Sequence, residues 1–457
     1  MAAAEPLEQV YKYPFASRLQ NDGARSQLAL AASSMPVSES LYFSGSLDRP
    51  DVAAGLLLAT SEVALQRYYY PPGMVAAMIR AADPVVTAAD TRLRFESFSQ
   101  CCGVYARADM LPDMLRADEF GKGTTNVDFN PPMRAALSKV RSGNSLDLRV
   151  TPESVAISSD VGSAVEHKVK LPVRWLKGFA EVQALAAGLE HRARLTGPAA
   201  RQFLAGLTNQ VKSKERVWLV PAGAGLRQSQ RATGEAIASA ALGRLAALKP
   251  LARHAGALNV YGSDTGVSGF ELDFGFARFM LILSALASRG FSGEGQLLKA
   301  LGSSDADVAL ARVKATLKWQ SGLKPVELAR DLDLPRKQVS AALALLAAQG
   351  LVGMDPREGS FFHRELPFDL SRIEGLHPRL KSARQLHASG AVKQLKTANG
   401  AFEAIVESDG VDHRVLCRED DFRCTCTWYA RTLGESGPCK HVLAVMQAAD
   451  EEGARRE

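Results

Sequence analysis

The sequence predicts a multidomain α+β protein, and three observations carry that expectation. Over residues 1–300, helix-like segments are interleaved with short strand-like segments in the manner of helices set against antiparallel sheet. Residues 305–368 read as helix, helix, turn, helix and then two short strands. Near the C-terminus, Cys424-Thr425-Cys426, a gap of 12 residues and Cys439-Lys440-His441 set out four metal-ligating side chains.

Composition bounds the rest. A chain of 457 residues, 46% hydrophobic and 23% charged, is an ordinary globular composition with room for several domains. A net charge of +6 permits a nucleic-acid partner without specifying one. Six cysteines suit a reducing compartment. The first residues lack the basic-then-apolar order of a secretory signal. The longest apolar runs, Ala53–Ala59 and Phe279–Ala287, are too short for a bilayer. The expectation is a cytoplasmic protein with no membrane partner.

In the first 300 residues the expected elements start with a strand at Ser40–Gly45 and a helix around Asp51–Gln66. Strands follow at Arg92–Phe98 and Gly103–Ala106. Thr124–Phe129 leads to a helix at Pro131–Val140, then strands at Leu146–Val150, Ser154–Ser158 and His167–Leu171. A second helix-then-strand set runs from Pro198–Leu207 through Arg216–Val220 and Leu226–Gln230. Leu258–Tyr261, Gly269–Phe274 and Arg278–Leu283 close the region. The repetition suggests internal duplication, with subdomains at about 1–190 and 191–300.

Catalytic patterns are weak here, and no catalytic residue is assigned. Gly121-Lys122-Gly123-Thr124-Thr125 lacks the glycine spacing of a phosphate loop. Cys101-Cys102 reads as buried small hydrophobes in a strand. Glu271 and Asp273 share one face of a strand, as metal-dependent nucleases require. Phe270, Leu272 and Phe274 fill the other face, so solvent-facing carboxylates are the preferred reading and a nuclease the minor alternative.

In residues 305–368, Asp305–Trp319 forms a first helix. Lys324–Leu332 is a short one with Pro325 in its first turn, where the missing N–H costs nothing. Asp333-Leu334-Pro335 turns the chain. Arg336–Gln349 is a third helix with Val339, Leu343 and Leu346 on one face, stopped by Gly350. Two strands flank the loop 355–359. The segment resembles the winged-helix families of bacterial regulators. That resemblance implies a DNA-reading third helix, placing Arg336, Lys337, Gln338 and Ser340 at bases or phosphates and Arg357 on the wing near phosphate. Asp355 and Glu358 on the same wing oppose phosphate, and many winged helices bind protein instead.

Residues 369–399 read as a basic linker. No acid lies between Glu374 and Glu403, while Arg379, Lys381, Arg384, Lys393 and Lys396 accumulate as candidate phosphate contacts. A second acid-poor run, His191–Arg216, holds Arg192, Arg194, Arg201, Lys212, Lys214 and Arg216.

The last region, 400–450, carries the metal chemistry. One intervening residue puts Cys424 and Cys426 on the same side of an extended segment. Gly434, Gly437 and Pro438 return the chain so that Cys439 and His441 come from the opposite side. Val442, Leu443, Val445 and Met446 make one face of a helix beginning at Lys440. Three thiolates and an imidazole fill a tetrahedral Zn²⁺ shell, which leaves no site for water or substrate. One structural zinc is therefore expected. With strand-like runs at Phe402–Val406 and His413–Cys417 ahead of it, the set resembles the SWIM zinc finger. That resemblance implies a small ββα module that binds DNA or protein, with Cys424, Cys426, Cys439 and His441 as ligands. Cys417 falls outside the pattern. Segments 95–105, 123–129 and 289–295 resemble the N-terminal regions of bacterial SWIM proteins, some of which are associated with MoxR-type AAA+ ATPases and von Willebrand factor A proteins. The primary expectation is a zinc-binding recognition protein contacting DNA or a protein partner. The alternative is an adaptor in such an ATPase assembly that binds no DNA.

Overall fold

Strands whose side chains alternate between apolar and charged build the centre of the molecule, and both of their faces are covered. The computed structural model describes residues 18–21, 26–29, 41–68, 84–169, 171, 173–207, 216–240, 242–285, 290–291, 305–366, 378–398, 401–418, 421–434 and 437–454. Its helices are α1 Pro50–Leu65, α2 Pro131–Lys139, α3 Val173–Ala186, α4 Gly197–Gly206, α5 Asp305–Ala315, α6 Pro325–Asp331, α7 Arg336–Ala348, α8 Pro378–Ala388, α9 Thr427–Thr432 and α10 Lys440–Ala454. No described helix is long and apolar enough to cross a membrane.

An eight-stranded antiparallel sheet runs in the order 190–196, 257–262, 268–273, 277–283, 104–110, 92–98, 85–89 and 123–126. Its two halves join where Ala277–Leu283 pairs with Val104–Met110. The two expected subdomains thus share one sheet and one apolar core, which runs from Phe43 to Leu283. A five-stranded sheet (162–167, 154–159, 147–150, 43–47, 115–120), a three-stranded sheet (225–229, 216–222, 237–240) and the pair 18–21 and 26–29 are the other described sheets of this region.

Period-2 alternation divides the large sheet's two faces. Leu93, Phe95, Ala106, Ala108, Phe270, Leu272, Phe279 and Leu281 enter the main core with α1. The opposite face holds Phe98, Tyr105, Tyr261, Met280 and Ile282. It shares a second core with Trp175 and Phe179 of α3 and with Val339, Leu343 and Leu346 of α7. Helix α3 was not expected from the sequence, although Trp175, Phe179, Val182 and Ala186 recur at helical spacing. The strand 190–196 was read only as part of a basic run. Its Arg192 pairs with Glu190 at 2.8 Å and Arg194 with Asp273 at 3.5 Å. Lys212 and Lys214 lie outside the described residues. The third strand of the triplet expected around 146–171 spans Gly162–His167.

The charged strip on this second face is buried as well. Helices α5, α6 and α7 and the hairpin Val352–Asp355/Ser360–His363 follow in the expected order. The hairpin docks on the strip. Arg107, fully buried, bonds Asp109 at 2.7 Å, Asp355 at 3.1 Å and the Met354 carbonyl at 2.9 Å. Arg94 bonds Asp109 at 2.9 Å and stacks on Phe362 at 4.1 Å. Glu96 takes hydrogen bonds from Tyr105 Oη at 2.6 Å and from Arg364. Arg92 and Arg278 both reach Glu358, at 2.7 and 3.1 Å. Gly353 is required at this contact, because a Cβ there would lie 2.2 Å from the Phe362 ring.

This geometry corrects the expectation of solvent-facing carboxylates and shows where Arg357 lies. Glu271 is fully buried and does not face solvent. Arg357, expected near phosphate, bonds Glu271 and Asp273 at 2.9 Å each. Gly121 and Gly123 have packing roles: a Cβ on Gly123 would lie 2.0 Å from the Tyr42 ring. Cys102 is buried in a turn at φ 53°, beyond the end of strand 92–98, and not in a strand. The stretch expected as a linker contains α8 and the strand Val392–Ala398. Leu380 and Ala383 of α8 pack on Leu443 and Ala444 of α10.

Two predictions follow from the docked hairpin. Asp355→Ala removes one of Arg107's two carboxylates from a fully buried site, so it should cost about 3–5 kcal/mol. Chemical denaturation would measure the loss, and hydrogen exchange should show 305–366 opening first. Burial pushes the Asp355 carboxyl up, but Arg107, Arg94 and Arg278 outweigh it and hold its pKa down at about 2, against an ordinary 3.8. A depressed carboxylate contributes stability above the ordinary value and loses it as pH falls through the folded one. Roughly 2 kcal/mol should therefore disappear between about pH 4 and 2, and Asp355→Asn should show a shallower acid transition in that window.

Candidate metal centre

The C-terminal body is a four-stranded antiparallel sheet, 392–398, 401–408, 411–418 and 421–424, covered by α10. Strand 421–424 ends at Cys424. Cys426 then caps α9, its sulfur accepting the Tyr429 N–H at 3.3 Å. Leu433 leaves α9 in the left-handed region at φ 47°. Gly434 and Gly437 follow at 81° and 75°, where a side chain would be strained. That return delivers Cys439 just before α10 and His441 in its first turn.

The ligand atoms of Cys424, Cys426, Cys439 and His441 all lie within 4.8 Å of one another, and all four residues are buried. His441 Nδ1 is 3.7 Å from Cys424 Sγ and 3.9 Å from Cys439 Sγ. Tetrahedral zinc, with Zn–S near 2.3 Å and Zn–N near 2.0 Å, spaces sulfur and nitrogen at about 3.5 Å, so the donors are set at zinc-binding separations. Nδ1 is the metal-facing nitrogen. Nε2 is buried with no hydrogen-bond acceptor among the described atoms, and the His413 ring lies beside the imidazole at 4.3 Å. The hydrogen bond from Cys424 depresses the Cys439 thiol to about 4 against the effect of burial, and the same bond pushes Cys424 up.

Cys417 is a buried strand residue outside this set, as expected. Lys440 pairs with Asp409 at 3.1 Å. Arg379 donates to the Pro438 carbonyl at 3.0 Å and lies over the Trp428 ring at 4.6 Å. It therefore braces the loop before Cys439. Lys393 is paired with Glu407. Lys381, Arg384 and Lys396 are exposed. At the start of α7, Arg336, Lys337 and Ser340 are exposed and Gln338 is half-buried. These two sets of expected nucleic-acid residues sit on separate elements. Arg357 belongs to neither.

Three buried thiols and one imidazole on an antiparallel sheet and helix define a closed, structural zinc module. Residues 413–450 match the SWIM zinc finger family, so this segment of the chain is a SWIM-type finger that binds one zinc ion. No curated protein matches the sequence. Among solved structures the chain is similar to Proliferating Cellular Nuclear Antigen from Entamoeba histolytica, with 8% identity and TM-score 0.36 over 53% of this chain and 98% of that one. It is likewise similar to the PCNA2–PCNA3 complex from Sulfolobus tokodaii, with 8% identity and TM-score 0.39 over 53% and 98%. A third is A. fulgidus PCNA bound to the C-terminal region of FEN-1, with 12% identity and TM-score 0.34 over 53% and 97%. Likeness at these scores carries no argument about fold or function.

Cys439→Ser should lower zinc content from one ion per chain toward zero. Structural zinc contributes about 10–16 kcal/mol in isolated fingers, so residues 378–454 should lose protease protection while the eight-stranded sheet stays folded. Metal analysis with limited proteolysis checks both halves of this expectation.

Proposed function

We propose that the chain is a zinc-stabilised recognition protein whose partner is another protein, with residues 305–366 forming a winged helix turned to that use. The observation that carries this reading is the fate of Arg357. The wing cation is already paired with Glu271 and Asp273, which supports a use other than phosphate contact. Helix α7 supports the same reading. One of its faces packs into the second core beside α3. Its exposed start borders a cavity lined largely by apolar residues. A helix that reads a major groove must present its N-terminal half to the DNA, and here Arg336 and Ser340 in that half line a cleft shared with Leu189 and Asp264 of the sheet region.

The adaptor alternative belongs to this class, with an ATPase-linked assembly as one candidate partner. A cytoplasmic setting suits thiols reserved for zinc. The nuclease alternative is less well supported, because Glu271 and Asp273 share one guanidinium and Asn259 donates to Glu271 at 3.0 Å. DNA binding is a second reading, favoured by the exposed Lys381, Arg384 and Lys396 beside the finger.

Fluorescence anisotropy with labelled duplex at about 50 and 200 mM salt separates the two. Binding limited to a few phosphate contacts should fall steeply over that range and show no sequence preference. Sequence-dependent binding that survives the higher salt and is lost in Arg336→Ala/Lys337→Ala would overturn the protein-partner reading.

A further inference from the structure

We infer that the cleft between α3 and α7 is a docking site for a peptide segment of a partner protein, one that offers apolar side chains and a carboxylate. The inference rests on the protein-partner reading above and assigns it a surface. The cleft has a volume of about 860 Å³, within the range of sites that enclose several side chains. Leu185 and Leu189 line it from the sheet region, and Met354 and Phe361 from the docked hairpin. Neither part has the cleft alone. The buried ion network holds the two together, so the site exists before any partner arrives and little ordering cost remains for binding. Val326, 58% exposed, continues the apolar lining outward along α6, which suits an occupant longer than the cavity.

Charge sets the occupant's direction. Helix α7 starts without a capping side chain and without an acid in its first turn, which leaves the positive end of its dipole uncompensated. Arg336 stands there on the cleft's lining, exposed and making no ion pair with a described residue. The other lining cation, Lys324, is satisfied by Glu327 at 2.9 Å. Asp264 lines the cleft from the turn after strand 257–262 and repels an acid from its own side. A carboxylate on the occupant is therefore drawn to the start of α7, while its apolar side chains cover Val326 and meet the edges of Leu185, Leu189, Met354 and Phe361, which form the cleft's buried floor.

A displayed library of random peptides, panned on the full zinc-loaded chain and counter-selected on Ala344→Trp, tests this. The new indole would occupy the cleft from α7, where Ala344 is a lining residue. Selected peptides should combine apolar residues with Asp or Glu. They should bind about tenfold or more weakly to Ala344→Trp and to Arg336→Glu, with zinc content and melting temperature unchanged. Arg336 is exposed, so its variant keeps the test decisive if the tryptophan perturbs folding. The inference is overturned if no selected peptide distinguishes wild type from the two variants, or if the selected peptides lack an acid. Crosslinked partner proteins recovered equally from wild type and Ala344→Trp would then leave the protein-partner reading standing without this cleft. Salt-resistant, sequence-dependent DNA binding would remove both.

Discussion

The docking of residues 305–366 on the large sheet depends on the pairing of Arg107 with Asp355 in a fully buried site. Charges of this kind are expensive to bury, and only close partners on both sides make the cost tolerable. Arg107 has them in Asp109, Asp355 and the Met354 carbonyl. Around it Arg94, Glu96 and Arg364 are equally buried, each with a counter-charge from a neighbouring strand or from the hairpin. A charged strip that would be a solvated face in an isolated sheet thus becomes a specific dock. An apolar face would accept many coverings; this one accepts a hairpin that brings Asp355, Arg357, Glu358 and Arg364 in register.

The same constraint explains what the sequence could and could not reveal. The zinc set was legible because four ligands lie within a short stretch and their chemistry is restrictive. The alternation in the strands expected at Arg92–Phe98, Gly103–Ala106 and Gly269–Phe274 falls on strands that run Arg92–Phe98, Val104–Met110 and Ser268–Asp273. It could not say what covers the charged side, because the covering residues arrive from residue 355 onward. Arg357 was placed near phosphate by the resemblance to winged helices, and a position on the wing does not choose between a phosphate and a carboxylate.

Other differences had signals that went unused. In α3, the recurrence of Trp175, Phe179 and Val182 marks a buried helix face. In the supposed linker, Leu380, Ala383 and Leu386 recur at helical spacing beneath the basic residues. Composition drew attention to the lysines and arginines, while the apolar period described the structure. The finger gains from that helix: α8 packs on α10, so a module matched over 413–450 is buttressed by residues that precede it.

The strand pairing at the middle of the large sheet has a consequence for synthesis. Val104–Met110 acquires its second neighbour only when Ala277–Leu283 has been made. Until then the first half of the sheet presents an open edge with buried-type side chains on both sides. Contacts so distant along the chain form slowly, and exposed edges invite pairing with other nascent chains. The emerging polypeptide should therefore be most open to mispairing in the interval between these two strands, until the sheet can close.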